Sequence, residues 1–170
     1  LKSFAIEARK KLIKSISLQI EYVLSEESSA RRDNSKAVTE LEKRIHSSSK
    51  ERVIEQVAYI WFNRFTALQY MDINGFNSVR VIAPSEGNSQ PEILSNAIAG
   101  DFDTNFISEK TQDRVTALLD RDIVSNNPEQ EAYQLLIIDV CNTLHSKLPL
   151  LFERIADYTE LLIPNDLLSQ

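Results

Sequence analysis

The sequence predicts an all-α protein: a multi-helix bundle or array around a central aromatic-rich helix at about 49–72, with at most one short β element near 78–83. Three observations carry this. Apolar residues recur at spacings of three and four along most of the chain, which is the pattern of a helical stripe and not the twofold alternation of a strand. Helix-start signals stand at Ser48, Ser108 and Asn127, each just before an apolar-periodic run. Glycine is scarce, with Gly75, Gly87 and Gly100 the only three in 170 residues. Average usage is about 7%, so few positions suit the tight turns that hairpins favour.

Phe4, Ala8, Leu12, Ile16, Ile20 and Val23 fall on one stripe of a first helix over about 2–24, with charge on its other faces. The stretch that follows is poor in apolar residues until Val38, Leu41 and Ile45, and reads as a second helix folding back on the first, firm from Lys36 onward. His46, near its end, reads as a solvated side chain whose partial positive charge suits a helix C-terminus.

Ser48 with Glu51 three residues on is a capping box that starts the third helix. Ile54, Val57, Trp61, Leu68 and Met71 share a seam, beside a row formed by Ala58, Phe62 and Phe65. Between 57 and 68 this helix is apolar around most of its circumference, which predicts a place in the middle of a bundle. Residues 57–76 also hold six of the chain's thirteen aromatic side chains. Such rings can stack on bases or fill a core. A stacking platform is flanked by cations, and Arg64 is the only one in the stretch. Filler is therefore the expectation, with Trp61, Phe62, Phe65, Leu68, Leu136 and Val140 as structural core, and Arg64 in need of a carboxylate or carbonyl if buried.

Asp72, Asn74 and Gly75 stop the third helix, and 78–83 is an extended connector or a short strand pair. Pro91 opens a short helix carrying Ile93, Leu94, Ala97 and Ile98, closed by Gly100. Ser108 caps a helix with Val115, Leu118 and Leu119 on its apolar face. Asn127, Pro128 and Gln130 form another capping-box start, leading into a broad buried face of Tyr133, Leu136, Ile137, Val140, Cys141 and Leu144. Beyond Pro149, a shorter helix is expected to carry Leu151, Phe152, Ile155, Leu161 and Leu162, before a turn at Pro164. Leu167 and Leu168 are expected to pack against something further on, and a chain opening at Leu1 rather than Met is expected to be cut from something longer or processed.

The net charge of −6 conceals an asymmetry. Residues 1–64 carry 13 basic and 9 acidic side chains, a net of +4, whereas 65–170 carry 6 and 16, a net of −10. A self-sufficient nucleic-acid binder presents a net basic field, so only a local face could contact phosphates. Arg9, Lys10, Lys11 and Lys14 are the densest group, and the region from Arg31 to Arg52 is a second. The plain alternative is the solvated side of an amphipathic helix.

Other chemistry is not encoded. His46 and His145 have no companions at zinc spacing, and His145 four residues after Cys141 is at best a two-ligand coincidence. The single Cys141 lies in an apolar run and reads as a buried residue of a reducing, cytoplasmic compartment. Asp101, Asp103, Asp120, Asp122 and Asp139 read as solvated surface acids, and 101–105 lacks the later Gly and Glu of a calcium loop. No nucleophile signature is present. No stretch reaches the ~20 apolar residues of a membrane span.

Four blocks carry a resemblance. FAIEARKKLI at 4–13, VAYIWFNRFTALQYMDINGF at 57–76, QPEIL at 90–94 and DYTELLIPNDLL at 157–168 are similar, in that order, to the N-terminal region of PglX. That family comprises the adenine-specific DNA methyltransferases of BREX phage-defence systems, related to single-chain type II restriction-modification methylases. One departure is Gln69, where the resemblance leads one to expect an arginine.

The resemblance implies an N6-adenine methyltransferase that uses S-adenosylmethionine on double-stranded DNA. Such enzymes carry a D-x-x-x-G-x-G cofactor loop and an Asn-Pro-Pro-Tyr segment that holds the flipped adenine. Neither is present. Asn127-Pro128 is followed by Glu129 and Gln130 and is a helix start. No catalytic, cofactor-binding or metal residue is carried over. The expectation is thus a single helical N-terminal domain over 1–170, preceding a Rossmann-like catalytic domain of the same polypeptide, with other BREX components as further partners. The alternative is a helical protein–protein interaction module with no methylation role.

Overall fold

The computed structural model describes residues 2–152 and 157–169 of the chain. Their order is α1 (Lys2–Leu24), α2 (Ser29–Asp33), α3 (Ser35–Ser47), α4 (Lys50–Ile73), α5 (Glu92–Ile98), α6 (Glu109–Leu119), α7 (Pro128–Lys147), α8 (Asp157–Leu161) and a final 3-10 turn, η1 (Leu167–Ser169). The fold is all-α. Among the described residues β pairing is limited to one isolated bridge between Pro84 and Pro91, and 78–83 forms an irregular connector instead of a strand. The Phe4 side chain and Ile155, both assigned to apolar faces from the sequence, lie outside what the structure describes.

The chain divides into two compact units, Leu1–Asn63 with Ile155–Asn165, and Arg64–Arg154 with Asp166–Gln170. In the first unit, Leu12, Ile16, Ile20 and Val23 of α1 are buried, as are Val38 and Leu41 of α3 and Val53, Ile54, Val57, Ala58 and Trp61 of α4. Tyr158, Leu162 and Ile163, in and just after α8, join this core. The segment expected to be one second helix is two. Ser28 caps α2 by accepting from the Ala30 N–H at 3.2 Å, and Asn34 breaks the chain before α3. Arg31 explains why that weakly apolar stretch is ordered. Its guanidinium donates to the carbonyls of Leu24 at 2.7 Å and Ser25 at 3.1 Å, capping the end of α1, and pairs with Glu42 of α3 at 2.8 Å.

The start of α4 is shifted by one residue from the sequence expectation. Both the N–H and the hydroxyl of Ser48 go to the Arg44 carbonyl, finishing α3. Ser49 is therefore the residue that caps α4, its hydroxyl oxygen accepting from the Arg52 N–H at 3.2 Å. Glu51 in the first turn is held below the usual carboxylate range, first by its own backbone N–H and then by the Ser49 hydroxyl. Lys50 pairs with Glu21 of α1. At its other end α4 closes in a Schellman motif. Phe76 N–H donates to the Met71 carbonyl at 2.9 Å and Gly75 N–H to that of Asp72 at 3.3 Å, with Gly75 at φ 66° where a side chain would be strained.

In the second unit α7 packs on α5 and α6, and α5 on α6. Leu136, Ile137, Val140, Cys141 and Leu144 of α7 are buried with Ile93 and Leu94 of α5, Val115 and Leu118 of α6, and Leu68 of α4. Asn127 caps α7 through the Gln130 N–H at 3.2 Å. The reciprocal half of the expected capping box is not made. Gln130 is buried, and its carbonyl oxygen instead accepts from the N–H of Leu168 at 3.1 Å, tying η1 to α7. The sequence led us to expect a helix from about Leu151, but Leu151 and Phe152 form a turn.

Candidate functional site

The six clustered rings of 57–76 divide into three environments. Trp61 is completely buried, and its indole N–H donates to the Thr159 carbonyl of α8 at 3.1 Å. Phe62 and Phe65, expected as core, are half-buried. Tyr59, Tyr70 and Phe76 are 62%, 61% and 63% exposed, and Tyr70 and Phe76 meet edge-to-face at 6.0 Å. Exposed Glu55, Gln56, Tyr59, Asn63, Thr66, Tyr70 and Ile73 recur at helical spacing. α4 is therefore not enclosed on all sides. Its single solvent-facing stripe was invisible to a count of apolar residues because tyrosine serves equally at a surface and in a core. Arg64 is 1% exposed, so the cation among these rings is an internal one. Gln69 is half-buried.

Two residues after Tyr70 on α4 lies a buried carboxylate of the second unit. Asp72, buried near the end of α4, accepts from the backbone N–H groups of Val81 at 3.0 Å, Ile82 at 2.7 Å and Ala83 at 3.0 Å. It also accepts from the Asn77 amide at 2.9 Å. These bonds are why 78–83 is a connector: its N–H groups are taken by a carboxylate, leaving no ladder for a strand. The Tyr133 hydroxyl donates to the Val81 carbonyl at 2.9 Å, and burial first, then the Asp72 charge, push that phenol well up.

Two acids read from the sequence as surface decoration are also structural. Asp139 accepts from both the N–H and the hydroxyl of Ser108, at 2.7 and 2.8 Å, and so positions the cap of α6. Asp103 accepts from the Ser78 hydroxyl and from the backbone and side chain of Asn105. Desolvation opposes its charge, but those bonds and nearby Lys147 outweigh it and hold the carboxyl below the usual range. His145 meets the Phe152 carbonyl through Nδ1 at 2.6 Å. Cys141 is buried, and no cluster suited to a metal occurs among the described residues.

The densest group of candidate phosphate-binding cations stands on α1. Arg9, Lys10, Lys11 and Lys14 are exposed. Lys10 and Lys11 each share a helical face with Lys14, at spacings of four and three, while Arg9 is turned about 100° from Lys10. Exposed Leu18 and Tyr22 continue that face toward the end of α1. The second basic region is different in kind. Arg31 is committed to the α1 cap and Lys50 to Glu21, leaving Arg32, Lys36, Lys43, Arg44 and Arg52 as its exposed cations.

No protein-family model matches the chain. It is 30% identical over 129 residues, 75% of its length, to the adenine-specific methyltransferase BrxX of Escherichia coli O9:H4 (strain HS). It is 28% identical, over 95% of its length, to the adenine-specific methyltransferase PglX of Lacticaseibacillus casei (strain Zhang). The chain is a relative of the PglX and BrxX methyltransferases. It spans 10% of the BrxX relative and 16% of the PglX one.

The cofactor such names imply can be tested against the residues present. S-adenosylmethionine is held where a glycine-rich turn joins a strand to a helix. Gly75 and Gly100 instead close α4 and α5, Gly87 lies in the 84–91 loop, and no strand occurs among the described residues. The residues of this PglX-related segment do not fit that group, and no chemical step is derived through it.

Proposed function

We propose that this chain is the helical N-terminal accessory region of a PglX-like, S-adenosylmethionine-dependent N6-adenine DNA methyltransferase of phage defence or restriction-modification. In this reading it acts in the cytoplasm as one supporting domain. It braces a Rossmann-like catalytic domain elsewhere in the polypeptide, and the parent protein works on double-stranded DNA alongside other BREX components. The observation that carries the proposal is the relationship along 75% and 95% of the chain to methyltransferases of which it forms only a small part. Its own hydrogen bonds support the division of labour: buried Ser28 caps α2, Asp72 pins the 78–83 connector and Gln130 holds η1.

Contact with DNA, in this reading, comes from the exposed face of α1. Lys10, Lys11 and Lys14 lie on one side of a helix and can follow a phosphate backbone, with Arg9 at the flank. Duplex binding by the full-length protein, measured across a salt series, tests this. The triple variant K10E/K11E/K14E is expected to bind more weakly, with a slope of log affinity against log salt shallower by about 2 to 3, each lost phosphate contact removing about 0.9. Arg31→Ala is expected to leave that slope unchanged while lowering stability by about 1–2 kcal/mol, because Arg31 serves the end of α1. An unaltered slope in the triple variant would remove α1 from the DNA interface.

A further inference from the structure

Three large apolar side chains stand in solvent where α4 ends. Tyr70, Ile73 and Phe76 are 61%, 73% and 63% exposed. Tyr70 and Ile73, three residues apart, share a helical face. The closure at Gly75 folds the chain back so that Phe76 meets Tyr70 edge-to-face at 6.0 Å. A contact between these two positions commonly accompanies such a closure. It accounts for the two rings being held in place, but not for their remaining open. Together the three side chains offer roughly 400 Å² of apolar surface. That is the size of the largest such patches on monomeric proteins, about 300–600 Å² and often functional.

The patch is uncharged. Its exposed residues from 70 to 78, namely Tyr70, Ile73, Asn74, Gly75, Phe76 and Ser78, are all neutral, although charged residues make up 26% of the chain. Asp72, the acid of this stretch, is buried and taken up by the connector. The flanking cations do not serve the patch: Arg64 is 1% exposed, and the Arg80 guanidinium donates to the Pro84 carbonyl at 3.2 Å. A phosphate backbone would find no counter-charge here. A second copy of the chain is disfavoured by size, because a stable interface takes about 800 Å² from each partner. A surface on the same polypeptide needs less, since tethering raises its effective concentration to about the millimolar range. The relatives of which this chain spans 10% and 16% have the length to supply one.

We infer that Tyr70, Ile73 and Phe76 are the anchor by which this helical region docks on an uncharged, apolar face of the catalytic region of the same polypeptide. The inference rests on the methyltransferase reading above and adds the surface that does the bracing. The two rings enter as rigid inserts with few rotamers to lose, and the Tyr70 hydroxyl suits the polar rim of such an interface.

Ile73→Cys, at a position that the fold leaves in solvent, tests this through the rate of maleimide labelling, read peptide by peptide by mass spectrometry in the 170-residue chain and in the full-length protein. In both, an unreactive Cys141 reports that the region is folded, because that thiol is buried. In the chain the introduced thiol should react as an open one. In the full-length protein it is expected to react about tenfold more slowly, since only the undocked fraction exposes it. Adding Tyr70→Asp, which sets a charge against an apolar face, should return the rate to that of the chain. Equal rates in the chain and the full-length protein, slow labelling that Tyr70→Asp does not relieve, or protection that disappears on dilution would each overturn the assignment, the last by pointing to a second copy. Binding of S-adenosylmethionine by the same full-length preparation reports separately on the reading beneath it. An open thiol in a protein that binds the cofactor removes the docking surface alone, whereas absence of cofactor binding counts against the methyltransferase reading itself.

Discussion

The indole nitrogen of Trp61 donates to the backbone carbonyl of Thr159 across 98 residues of sequence, with both partners buried. This one bond ties α4 to α8 and makes the first unit depend on a segment far along the chain. Trp61→Ala is expected to cost about 3–5 kcal/mol by emptying a large enclosed site. Trp61→Phe should cost less, about 1–3 kcal/mol, mainly by stranding the Thr159 carbonyl. Urea unfolding followed by circular dichroism checks both, since the substitutions remove the only tryptophan.

Asp72 governs the second unit in a comparable way. Asp72→Ala leaves the N–H groups of Val81, Ile82 and Ala83 without their acceptor. A loss of about 3 kcal/mol or more is expected, each stranded buried donor costing about 1–3 kcal/mol. Hydrogen exchange locates the effect: these three amides should lose protection in the variant while α1 and α3 keep theirs.

Tyr133 makes stability depend on alkaline pH. Its folded pKa is raised above the ordinary 10.0, by burial and then by Asp72. A raised folded value gives a contribution fully present below the unfolded pKa and lost as pH climbs through the folded one. Thermal midpoints should therefore be insensitive to this group up to about pH 10 and fall above it. Tyr133→Phe is expected to flatten that alkaline fall, at the cost of the hydrogen bond to Val81.

Much of this architecture was legible in the residues. The span of α1 follows from its apolar spacing, and those of α6 and α7 from one clear start signal each, Ser108 and Asn127, ahead of a buried stripe. What escaped were features that depend on long-range partners. Asp72 looks like an ordinary helix terminator until the connector folds over it, and Asp139 looks like a surface acid until the Ser108 loop arrives. Arg31 counted as a free cation, because no local pattern marks a guanidinium that caps a helix six and seven residues back. The ring cluster misled in part, since tyrosine and phenylalanine at helical spacing do not reveal which side faces water.

Calorimetric titration of S-adenosylmethionine into the 170-residue chain tests most directly whether this region supports a catalyst that lies elsewhere. The account predicts no binding heat beyond dilution, with the full-length protein binding the cofactor under the same conditions. Saturable, stoichiometric binding to the chain alone would contradict it.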